Sequence, residues 1–275
     1  MINTDQLMQL SLDMAGMTEV PADSAIYHPG ENIKRIIMGI DMGSPELLLG
    51  RDLGYDAVIA HHPIGDTARL DFADVLWTHL DQMTAAGVPE DVARPIVEEK
   101  VANAQMGMHA ANYDHTPSIA KLIDMPYLNI HLPLDEIGRQ MMVESTNKLS
   151  PDQPVSALID QFKTDMKEFR IAMTDFQVRV GSPDNPLGKV AISHAAGTNG
   201  GYPIAKAYFD HGVDTVLYIH CSPQDTQKIK EEFEGKGKNL VISGHISSDA
   251  VGINVYCDEL EKRGLEVTRI SGILT

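Results

Sequence analysis

Cysteine is scarce: Cys221 and Cys257 are the two thiols in 275 residues. Two thiols cannot build a disulfide framework, and free thiols fit a reducing compartment. Basic residues are also short, with 22 Lys and Arg against 39 Asp and Glu, a net charge of −17. That balance disfavours the general phosphate attraction on which nucleic-acid binding rests, so no nucleic-acid partner is expected. No apolar run approaches the ~18 residues of a membrane-spanning helix. The N-terminal stretch from Met1 to Gln6 has no basic n-region and no signal-like apolar block, so a soluble, cytoplasmic protein is expected. Low-complexity tracts and direct internal repeats are absent, as are Gly-Lys-Ser/Thr and Gly-x-Gly-x-x-Gly phosphate motifs.

What is present is an apolar fraction of 43% and 11 histidines, in a length that suits one large domain or two intimate ones. The chain is organised around Ala60-His61-His62-Pro63. An apolar run, Tyr55 to Ile59, reads as a buried strand that stops at the histidine pair. Successive strand side chains point to opposite faces, so adjacent imidazoles aim at two neighbouring points rather than one. That suggests two metal ions.

The pattern around this pair is strand–helix–strand. Residues 33–41 read as a strand ending in Asp41. Ser44-Pro45-Glu46 carries the cap residue, N1 proline and first-turn acid of a helix start, and Gly54 closes that helix. A right-handed crossover and a parallel pair follow, and ligands in such sheets bind outside the carboxyl ends of the strands. Helical patterns are expected over 3–16, over 71–105 in two pieces broken near Gly87-Val88-Pro89, and over 116–123. The run Met106 to His115 reads as a strand entering a polar turn, delivering Asp114 between His109 and His115. The last third alternates again: strands over 189–193, 213–219, 240–243 and 265–271, helices over 201–209, 223–234 and 247–263. The expected class is α/β with mostly parallel sheets, in an N-terminal lobe over 1–130, a connecting segment over 131–188 and a C-terminal lobe over 189–275.

Four expected strands share one property: their carboxyl ends carry His61/His62, His194, His220 and His245. One strand-end histidine is ordinarily structural, but a group of them points to a metal or acid–base site. His245 and Asp249 stand at i and i+4, about 6 Å apart on one face if the helix begins at His245. At a helix start the dipole keeps Asp249 ionised and His245 neutral, the forms that bind metal. Asp114 is the candidate bridging carboxylate between two cations. The turn Gly197-Thr198-Asn199-Gly200-Gly201 reads either as a phosphate cradle or as a tight turn needing positive φ.

These stretches, with Asn112-Tyr113-Asp114 and Gly244-His245-Ile246-Ser247-Ser248-Asp249, resemble the dinuclear-metal family of NGG-interacting-factor-like proteins, often labelled GTP cyclohydrolase I type 2. The resemblance spans roughly residues 33–271. It implies two related α/β lobes with two divalent metals between them, held by His61, His62, Asp114, His245 and Asp249, and assembly as a homohexamer. The chain departs from the family pattern with Asp249 in place of Glu, with His109 one residue further from Asp114, and with Tyr218-Ile219-His220 in place of Thr-Gly-acid. The ligand types suit zinc, iron, manganese or cobalt. The expected function is metal-assisted hydrolysis of a small molecule, a phosphoester, nucleotide or cyclic amide or amidine, with His220 or His194 as acid–base residue. The competing expectation is a non-catalytic metal-binding or regulatory hexamer.

Overall fold

A computed structural model describes residues 1–273. In chain order its first elements are α1 (Thr4–Ala15), β1 (Ala25–His28), β2 (Arg35–Gly39), α2 (Ser44–Asp52), β3 (Ala57–Ala60) and α3 (Asp66–Leu70). A 3-10 turn (Phe72–Trp77) leads to α4 (Thr78–Ala85), α5 (Glu90–His109), α6 (His115–Leu122), β4 (Tyr127–Asn129), α7 (Leu132–Thr146), α8 (Val155–Asp165) and α9 (Glu168–Ile171). The remainder is β5 (Gln177–Val180), β6 (Val190–Ser193), α10 (Gly201–Asp210), β7 (Thr215–Tyr218), α11 (Pro223–Phe233), β8 (Asn239–Ile242), α12 (His245–Lys262) and β9 (Glu266–Ile270). The class is α/β. None of the described helices is long and apolar enough to cross a membrane.

The chain divides into two compact units: residues 1–75, 101–137 and 249 onward, and residues 76–100 with 138–248. This differs from sequential lobes over 1–130 and 189–275. The reason is pairing: β9 lies parallel to β2, so the C-terminal strand returns to the first sheet. The segment 131–188 is no mere connection, because β5 forms the antiparallel edge of the second sheet against β8.

The first sheet has the order β1-β4-β3-β2-β9 and the second β5-β8-β7-β6. In each, an antiparallel edge strand joins three parallel strands that run backwards in sequence order, and the first sheet adds β9 beside β2 as a fourth parallel strand. Parallel strands covered on both faces are near-continuously apolar, and Ala57-Val58-Ile59-Ala60 is fully buried. On one face α1 and α12 pack Leu7, Leu10, Ile253, Tyr256 and Leu260 against Ile36, Met38 and Ile59. On the other, Leu47 of α2 and Ala120 of α6 meet Ile37 and Val58. A glycine inside a helix costs about 1 kcal/mol against alanine. Gly50 is there because a Cβ would stand 2.9 Å from Val58 Cγ2, so its absence lets α2 settle onto β3.

The expected strand over Met106 to His115 is instead the end of α5 and a turn. Val101-Ala102-Asn103-Ala104-Gln105-Met106 is rich in good helix formers and carries the helix on to His109. Helix α7 and strand β4 have no counterpart in the sequence expectation.

Candidate metal centre

The carboxyl end of β3 delivers His61 and His62 as expected. The backbone there is pinned: His61 N donates to the Gly39 carbonyl at 2.9 Å and His62 N to the Ile40 carbonyl at 3.0 Å. A third histidine joins them from the next strand. His131 follows β4, and its ring centroid lies 4.7 Å from that of His61 and 5.7 Å from that of His62.

Each of the three rings is held by Nδ1. His61 Nδ1–H donates to the Ile130 carbonyl at 3.0 Å, His62 Nδ1–H to Asp41 Oδ1 at 2.8 Å, and His131 Nδ1–H to Asp23 Oδ2 at 2.6 Å. Fixing the proton on Nδ1 leaves Nε2 as the lone-pair nitrogen. The three Nε2 atoms face two buried carboxylates. His61 Nε2 is 3.2 Å from Asp135 Oδ1 and 3.7 Å from Asp249 Oδ2. His62 Nε2 is 3.5 Å from Asp249 Oδ2, and His131 Nε2 is 3.7 Å from Asp135 Oδ2. His61 Nε2, fully buried, makes no hydrogen bond.

These separations are informative. With metal–ligand bonds of about 2.0–2.2 Å, neighbouring ligand atoms stand about 3.0–3.5 Å apart around one cation. The observed gaps lie in and just above that range, and beyond most N–H···O hydrogen bonds. Within the first unit, two donor sets among the described residues therefore fit a metal: His61, His62 and His131, and His61, Asp135 and Asp249, the donor atoms in each within 4.8 Å of one another. Imidazole with carboxylate suits zinc, iron, manganese or cobalt, and not an all-oxygen calcium or magnesium cage.

The electrostatics agree. Burial drives the His131 pKa down, but the charges of Asp135 and Asp23 and the hydrogen bond to Asp23 outweigh it and lift it to about 9. His62 is also raised, burial being overcome by hydrogen bonds to Asp249 and Asp41. The site is one that attracts positive charge.

Of the residues expected from the sequence, His61, His62 and Asp249 come together. Asp249 is buried one turn into α12, and His245 opens that same helix, as required for their i, i+4 relation. His245 belongs to the second unit, where its ring lies 4.8 Å from that of His220. Asp114 is placed otherwise: it is exposed at the N-cap of α6 and belongs to neither donor set. The flanking His109 and His115 are exposed as well. His194 is buried just after β6, and His220 is half-buried with Nδ1 at 2.9 Å from Asn199 Nδ2.

Sequence reasoning missed His131, Asp135 and Asp23. A signal existed for the first two, since His131-Leu-Pro-Leu-Asp135 repeats the His-x-x-x-Asp spacing of His245 and Asp249. Asp23 gives none, because its partner lies 108 residues away.

The glycine turn reads as a turn. A Cβ on Gly200 would stand 2.6 Å from Tyr218 Oη, and Gly201 has φ +69°. Its helix start already faces a carboxylate, Asp225, and Gly201 N donates to Asn199 Oδ1 at 2.9 Å.

Comparison with known proteins places the fold. No family model matches the chain, and no curated protein does. Among solved structures the chain is similar to a NIF3 superfamily protein from Sphaerobacter thermophilus, with 49% identity, a TM-score of 0.94 and 98% of each chain covered. Reduced HcgD from Methanocaldococcus jannaschii matches at 14% identity and TM-score 0.56, covering 98% of each chain. Staphylococcus aureus protein SA1388 matches at 12% identity and TM-score 0.54, covering 98% of this chain and 96% of that one. The last two share the fold alone. At 49% identity over nearly its whole length with the first, the chain belongs to the NIF3 superfamily.

Proposed function

We propose that the protein carries a dinuclear divalent-metal centre and uses it for hydrolysis of a small molecule. The observation that carries this reading is the set of three Nδ1-tethered histidines whose Nε2 atoms face Asp135 and Asp249. His61, His62, His131, Asp135 and Asp249 would hold the ions, and His245, one helical turn before Asp249, is a further candidate ligand. Asp135, whose two oxygens face different histidines, His61 and His131, would take the part first expected of Asp114. Divalent cations held there would supply the charge that lowers the pKa of a water and polarises an electrophile.

The chain's own groups do the rest. Asp249 sits one turn into α12, its Oδ2 3.5 Å from His62 Nε2 and 3.7 Å from His61 Nε2. His62 is the ring that reaches solvent, so its edge is where water and substrate approach. A phosphoester, nucleotide or cyclic amide or amidine is the substrate class, with His220 a better acid–base candidate than the buried His194. A second reading, a non-catalytic metal holder, is favoured by the burial of His61, His131, Asp135 and Asp249. Assembly as a homohexamer is proposed for either.

Metal analysis of the purified chain tests the centre: close to two divalent ions per chain are expected, and fewer in His61→Ala and Asp249→Ala. Full occupancy in both variants sinks the ligand assignment. Turnover of any member of a phosphoester, nucleotide and cyclic-amide panel by the loaded protein separates hydrolase from holder, and sedimentation reads the assembly.

A further inference from the structure

The three tethers differ in kind. His61 is held by a neutral carbonyl, His62 by a carboxylate whose side chain is 72% exposed, and His131 by a carboxylate with no exposed surface at all. A fully buried aspartate is costly unless it is paired or hydrogen-bonded on every side. Asp23 is held on every side. Oδ2 takes the His131 Nδ1–H at 2.6 Å, and Oδ1 accepts from Ser24 Oγ at 3.3 Å and Leu132 N at 3.4 Å. Its backbone is fixed too: Asn129 Nδ2 donates to the Asp23 carbonyl at 2.7 Å and also reaches the His61 carbonyl at 3.3 Å. The neighbouring Ser24 Oγ accepts from His131 N at 2.9 Å. The loop before β1 is thus built around one ring, and ties it to the same asparagine that touches the backbone of His61.

We infer that Asp23 is a positioning residue that locks His131 with its proton on Nδ1 and Nε2 aimed at the metal. The inference rests on the proposed metal centre. Carboxylate–histidine–metal arrangements work in this way, fixing the tautomer and raising the basicity of the ligand nitrogen, and loss of such a partner costs about 10–100-fold in metal affinity. Asp41 does the same for His62 from solvent, where water and salt screen it. Asp23 therefore acts more strongly, and independently of ionic strength.

Zinc binding to the full chain is the test, with Asp23→Asn, Asp41→Asn and the wild type compared at low and high salt. An asparagine at position 23 offers an N–H or a neutral oxygen where the carboxylate stood. Zinc affinity is expected to fall about 10–100-fold in Asp23→Asn at either salt, and by less in Asp41→Asn, with a difference that shrinks as salt is added. Equal affinity in Asp23→Asn and the wild type overturns the inference while leaving the metal centre standing. A wild type that binds no zinc overturns both. Should Asp23→Asn fail to fold, the ¹⁵N–¹H correlation of His131 in the zinc-loaded wild type decides. A proton on Nδ1 with Nε2 shifted by the metal upholds the assignment, and a proton on Nε2 overturns it.

Discussion

Both sheets set an antiparallel edge strand beside three parallel strands in reverse sequence order, the first adding β9 as a fourth, yet the buried histidines of the two units live differently. In the first unit His131 is buried and its pKa stands at about 9. In the second, His79 of α4 is buried just as fully and its pKa is driven to about 3, by burial and then by the charge of Lys100. The difference is what faces the ring. His131 meets Asp23 and Asp135, whereas Nδ1 of His79 meets the Ser193 hydroxyl at 3.5 Å and its Nε2 makes no hydrogen bond. A strand-end or buried histidine is therefore not in itself a metal site. Carboxylates converging on Nε2 give it the donor set that could hold a metal.

Replacing one histidine at the end of each sheet tests that comparison most severely. His61→Ala removes a ring that belongs to both donor sets. Its metal affinity is expected to fall by more than the roughly 100-fold that outer partners give, as read by calorimetric zinc titration. His194→Ala, at the end of β6, is expected to keep zinc affinity within a factor of a few. A comparable loss in both breaks the distinction between the sheets.

The carboxylates give a second contrast. Asp135→Asn removes charge from a buried group facing two histidines, and metal stoichiometry should drop below the wild-type value. Asp114→Asn alters an exposed N-cap without a side-chain hydrogen bond, so stoichiometry should hold and stability should move by no more than about 0.5 kcal/mol. A loss of metal in Asp114→Asn would restore that residue to the centre.

How much of this was legible follows from element length and contact range. Strand β3 announces itself as an uninterrupted apolar run halted by two histidines, and His245-x-x-x-Asp249 is a local helix pattern. Strand β4 is Tyr127-Leu128-Asn129, three residues after a proline, too short to show a period. His131 and Asp135 were hidden behind it although they share the spacing of the later pair. Asp114 misled because His109 and His115 flank it, and sequence neighbourhood stood in for a contact that α5 and its turn do not make. Asp23 depends wholly on tertiary pairing, through the register Ala25↔Asn129 that joins β1 to β4.

The smallest effect probes the neutral side of the comparison. Because the folded pKa of His79 is about 3, below the usual 6.5 of histidine, the folded chain refuses a proton that the unfolded chain accepts. Stability is then complete above pH ~6.5 and falls as pH drops from ~6.5 towards ~3, by at most about 1.4 kcal/mol per pH unit. His79→Phe keeps a buried ring and removes the titrating nitrogen. Urea unfolding of the wild type and of this variant at pH 7, 6 and 5 should show the variant losing less stability over that span, whatever its absolute value at pH 7. Parallel losses in the two would mean that His79 takes up a proton as readily folded as unfolded. The second unit would then hold a charged histidine without a carboxylate, and the rule that separates the two units would fail at its simpler end.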